Sequence, residues 1–106
     1  MKKSIWVTFQ KEGIHCYPNA PAGVEFLKHP HRHIFHFRVE IEVFHDDRDI
    51  EIIMLKNSIK AFLNETYPKT FGGMSCESIA KELVYAFNLN YCSVLEDNEN
   101  GAEVII

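Results

Sequence analysis

The chain has 106 residues, 46% of them hydrophobic, 12% aromatic and 25% charged, with a formal net charge of −4. That length suits one domain, residues 1–106, with one core, and a chain so short gains from self-association. The acidic balance, with Lys2-Lys3 as a lone basic pair, excludes a nucleic-acid polymer as an expected partner. No apolar run approaches the roughly 20 residues of a membrane span. Met1–Ser4 leads at once into strand-like sequence, which reads as the absence of a signal peptide. Cys16, Cys76 and Cys92 are odd in number and lack framework spacing, so a reducing, cytoplasmic location is expected.

Ser4–Gln10 is rich in β-formers and predicts a first strand, resuming near Ile14–Tyr17 beyond Gly13. Pro18 to Pro30 reads as a loop with a short apolar patch at Val24–Leu27. In His33–His45, Phe35, Phe37, Val39, Ile41 and Val43 share one parity, and His36, Arg38, Glu40 and Glu42 the other. That alternation predicts a strand half-buried in an antiparallel sheet. An acidic turn follows, His45-Asp46-Asp47-Arg48-Asp49. Ile52, Leu55, Ile59, Phe62 and Leu63 then predict a helix over roughly Ile50–Thr66.

Pro68 and Gly72-Gly73 end that helix, and Ser75 caps a second one with Ile79, Leu83, Val84 and Phe87 facing inward. Tyr91–Leu95 and Ala102–Ile106 predict a hairpin whose turn is Glu96–Gly101, with Asn100-Gly101 as its signal. The expected fold class is α+β, in the order ββααββ: a four-stranded antiparallel sheet with two helices on one face.

Six histidines focus attention on metal chemistry. His31 and His33, two apart where the second strand opens, project to one face, a spacing that suits two imidazoles on one ion. His15 reaches them if the first two strands pair antiparallel. Three His leave one tetrahedral position open, the arrangement of catalytic zinc. The competing reading makes His29, His31 and His33 solvated loop residues. His36, on the polar parity, and His45, in the acidic turn, read as paired or solvated surface residues.

Four short motifs occur in a telling order. His15-Cys16-Tyr17-Pro18 resembles a first-strand His-x-Leu-Pro, and His31-Arg32-His33-Ile34-Phe35 resembles His-Gly-His-Ser/Asn-Tyr. Ser75-Cys76-Glu77-Ser78-Ile79-Ala80 is similar to Thr-x-Glu-Asn-x-Ala, and Val94-Leu95-Glu96-Asp97 to Val-x-Glu-Thr. These are motifs of the family of 6-pyruvoyl- and 6-carboxy-tetrahydropterin synthases, so the chain resembles a divergent member of that tunnelling-fold family.

The resemblance implies zinc on His15, His31 and His33, and a purine- or pterin-like small molecule, including nucleotides, as ligand. It implies that Glu96 anchors the ring by accepting two parallel N–H bonds. It also implies a homo-oligomer, a trimer or hexamer, that closes a barrel from several sheets, with the pocket between subunits.

The chain departs from the family in three places. Val24–Pro30 lacks the catalytic cysteine, and Tyr67–Gly73 lacks the Asp-His pair. Cys16, next to a ligand, is expected on the opposite face of the strand, and Cys76 is expected to be an inert thiol in spite of its helix N-terminus. Arg32 replaces a glycine, which points to a ligand carrying an anionic group such as a phosphate. Three functions follow from these expectations: a binding module without synthase activity; a zinc-dependent enzyme using His29, His45 or Asp47 as acid or base; and a structural or regulatory oligomer.

Overall fold

The computed structural model describes Met1 to Ile106. Strand β1 (Lys3–His15) pairs antiparallel with β2 (His31–Val43), and a 3-10 turn at Glu25–Lys28 lies in the loop between them. Helices α1 (Ile52–Thr66) and α2 (Cys76–Phe87) follow, then β3 (Tyr91–Glu96) and β4 (Asn100–Ile105). The sheet order is β1-β2-β3-β4, every pairing is antiparallel, and the expected ββααββ layout is present.

One face of the sheet carries Val7, Phe9, Phe35, Phe37, Val39, Cys92 and Val94, all buried in a single core with residues of both helices. Those helix residues include Leu55, Ile59 and Leu63 of α1 and Ile79, Leu83 and Val84 of α2. Each Leu or Ile so buried contributes about 1.5–3 kcal/mol relative to exposure. Both helices therefore cover the same face, and the even-numbered residues of β1 and β2 are left on the other. No helix is long and apolar enough to cross a membrane.

Local chemistry sets the element ends. Ser75 accepts from the backbone N–H of Ser78 at 3.1 Å and starts α2, as its cap signal predicts. Asn88, at φ 54°, stops α2 in the left-handed conformation. Helix α1 begins at Ile52 rather than Ile50, because the Glu51 carboxylate accepts from Ile53 N–H. Ile52 itself is half-exposed and does not join the buried stripe.

Two expectations built on glycines are corrected. Strand β1 does not break at Gly13: a Cβ there would lie 2.7 Å from Phe71 Cε2, so glycine admits that ring against the unbroken strand. Asn100-Gly101 is not the hairpin turn, since Asn100 pairs with Glu96 and Gly101 with Leu95. The turn is made by Asp97 and Asn98, at φ 53° and 58°. Asp and Asn are the non-glycine residues that best tolerate that conformation. Gly101 is required for a different reason, because a Cβ there would lie 2.1 Å from Val94 O.

Candidate metal centre

The pairing of β1 with β2 sets His15 directly opposite His31, and two residues along β2 His33 returns to the same face. Ligand atoms of His15, His31 and His33 lie within 4.8 Å of one another, close enough to bind a metal ion. Their ring centroids are 4.6 to 5.1 Å apart, each pair edge to face. The floor is Phe35, whose ring meets His15 at 5.2 Å and His33 at 5.6 Å.

Hydrogen bonds fix which nitrogens point inward. Nδ1 of His15 donates to Met74 O at 3.0 Å, and Nδ1 of His31 donates to His29 O at 2.8 Å. Nδ1 of His33 donates to Asp97 Oδ2 at 2.7 Å. Carbonyl and carboxylate oxygens only accept, so each Nδ1 carries a proton and Nε2 is the nitrogen left to face the site. Nε2 of His15 and of His33 are buried without a hydrogen-bond partner.

Glu96 borders the same space. Its Oε2 lies 3.0 Å from His15 Nε2 and its Oε1 lies 3.6 Å from His33 Nε2. Neither contact is a hydrogen bond: the first is not aligned as one, and the second is too long. Inward imidazole nitrogens beside a carboxylate are a donor set that suits a cation. The three histidines are close enough to hold one metal ion between them.

A cavity of about 670 Å³ opens beside the histidines, a size that suits a small-molecule ligand. His15, His31, Cys76, Glu96, Tyr17 and Ser78 are among its walls. The connection between the helices forms part of it, held to β1 by Phe71 N–H to Ile14 O and Cys16 N–H to Gly72 O, at 2.8 and 2.9 Å. The loop from 24 to 30 contributes Leu27.

Cys16 is among the residues that border the cavity, just past the end of β1 at His15. The Cys76 thiol is pushed up to about 12, first by burial and then by the charge of Glu96. Burial thus outweighs the helix N-terminus, and the thiol stays protonated at neutral pH. Hydrogen bonding from His33 holds the Asp97 carboxyl below its ordinary value.

Arg32 does not enter the site. It occupies the opposite face of β2 and pairs with Glu12 at 2.7 Å, which removes the argument for an anionic ligand group drawn from it. His45 pairs with Asp49 and Asp47 lies beside it, both past the far end of β2, so neither can serve as acid or base here. His29 contributes its carbonyl oxygen to His31. His36 lies on the face of the sheet away from the helices. The sequence marks Asp97 only by a carboxylate where the resembled motif has threonine.

No protein-family model and no curated protein matches this chain.

Proposed function

We propose that the chain holds zinc on His15, His31 and His33 and binds a planar purine- or pterin-like molecule, including nucleotides, in the adjoining cavity. In this reading it is a divergent relative of the 6-pyruvoyl-tetrahydropterin synthases that lacks their synthase activity. The observation that carries the metal is the commitment of all three Nδ1 atoms to acceptors, with buried, unpartnered Nε2 atoms on His15 and His33. Three neutral imidazoles with an open fourth position are a zinc donor set.

Glu96 is the candidate anchor for the ring, since its carboxylate lies in the cavity wall and is 28% exposed. The synthase reaction lacks its means. The loop from 24 to 30 has no cysteine, the connection from 67 to 73 has no Asp-His pair, and the Cys76 thiol is protonated. Proton transfer by a placed side chain is worth about a hundred- to ten-thousandfold in rate.

Calorimetry of the zinc-loaded chain with guanine nucleotides and reduced pterins tests the reading. Micromolar binding that Glu96→Ala abolishes is expected, with dihydroneopterin triphosphate converted no faster than by a zinc-only control. Binding unchanged in Glu96→Ala would remove the anchor, and robust synthase turnover would overturn the binding-module reading.

A second reading, a zinc-dependent enzyme, is favoured by one feature. Glu96 lies beside the inward Nε2 atoms, where its carboxylate would be placed as a general base if an ion held by the three histidines supplied Lewis acidity. Glu96 replaces His45 and Asp47, which lie past the far end of β2, in that role.

Assembly as a trimer or hexamer belongs to the same proposal. Strands β1 and β4 are the sheet edges, and the face away from the helices carries Trp6, Ile14, Ile34 and Ile105 exposed. Light scattering at micromolar concentration is expected to give a multiple of the 12.3 kDa chain mass, and a monomer would contradict it.

A further inference from the structure

We infer that Asp97 is a positioning residue of the metal centre: its carboxylate holds His33 in the tautomer and orientation that present Nε2 to the ion. This rests on the metal reading above. Both carboxylate oxygens are in use. Oδ1 accepts from Ile34 N–H at 3.0 Å, which locks the carboxylate to β2, and Oδ2 accepts from His33 Nδ1 at 2.7 Å. The backbone closes the same latch, with Asp97 N–H donating to Ile34 O at 2.8 Å.

Asp97 follows directly on the last residue of β3, beside Ile34 of β2, and at φ 53° it opens the turn that leads into β4. At Nδ1, His15 and His31 donate to neutral carbonyls, so His33 alone has a negative partner on that nitrogen. A carboxylate accepting from a ligand imidazole raises the basicity of the other nitrogen and fixes the ring, and losing such a partner costs about 10–100-fold in metal affinity.

The substitution that separates this role from mere stability is Asp97→Asn. Asparagine tolerates the left-handed conformation, so the turn survives. Its side chain, however, has one acceptor oxygen where Ile34 N–H and His33 Nδ1–H need two. Zinc affinity is measured on wild type and variant by competition with a chromophoric chelator. The imidazole tautomer of His33 is read in the metal-free wild type by long-range nitrogen–proton NMR.

A fall of about 10–100-fold in zinc affinity in the variant is the expected result, together with a proton on Nδ1 of His33 in the wild type. Asp97→Asn binding zinc within about threefold of wild type, far short of an outer-shell loss, would overturn the inference and leave the three-His site standing. A proton on Nε2 of metal-free His33 would overturn it as well, without any variant. A wild-type chain that takes up no zinc at all would overturn this inference and the metal reading together.

Discussion

His33→Ala should abolish stable zinc binding, with a loss beyond the about 10–100-fold that removal of an outer-shell partner costs. His15→Ala and His31→Ala should do the same, because the donor set has only three imidazoles and none is spare. The controls lie in the same chain. His36→Ala changes the other sheet face and His45→Ala the acidic turn beyond β2, so both should bind zinc as the wild type does. Zinc should also stabilise the fold, by about 2.7 kcal/mol at a free concentration one hundred times Kd. For a chain of this size that is a rise in Tm of upwards of about 10 °C. Equal zinc affinity in His33→Ala and His45→Ala would contradict the assignment of ligands.

Phe35→Ala carries the second large effect. Phe35 is fully buried, and its ring meets His15, His33 and Phe71 edge to face, the last at 5.0 Å. Truncation removes the floor of the metal centre and leaves a void beside Gly13, where Phe71 already packs closely. Replacing a buried Phe with Ala costs about 3–5 kcal/mol, a large part of the 5–15 kcal/mol typical of a whole domain. Urea unfolding of the metal-free chain measures this directly. Trp6→Ala, on the open face where the residue is 54% exposed and its ring lies beneath Arg38, serves as the mild comparison. A cost for Phe35→Ala no greater than for Trp6→Ala would show that Phe35 is not the shared support of core and site.

What could be read from the sequence follows from the range over which each signal acts. The alternation through Phe35, Phe37 and Val39 records a half-buried strand residue by residue, and Ser75 caps its helix through a bond only three residues away. The histidine site was legible because a single assumption, antiparallel pairing of β1 with β2, brings His15 to His31. Long-range contacts were not legible. Gly13 reads as a strand break until Phe71 is seen against it, and Arg32 reads as a ligand-facing cation until Glu12 is seen to hold it on the other face.

The hairpin misled for a related reason. Asn100-Gly101 carries the stronger local turn signal, but Gly101 answers to the nearby Val94 carbonyl, and the turn falls to Asp97 and Asn98. That shift is what places Asp97 against His33, a partner 64 residues distant in the chain. A one-dimensional pattern carries no trace of it.

The most direct test of the account is elemental analysis of the wild-type chain purified without chelator, paired with X-ray absorption at the zinc edge. About one zinc per chain is expected, with nitrogen scatterers at about 2.0–2.1 Å. A chain free of bound metal, and unable to take up zinc when it is supplied, would contradict the central claim.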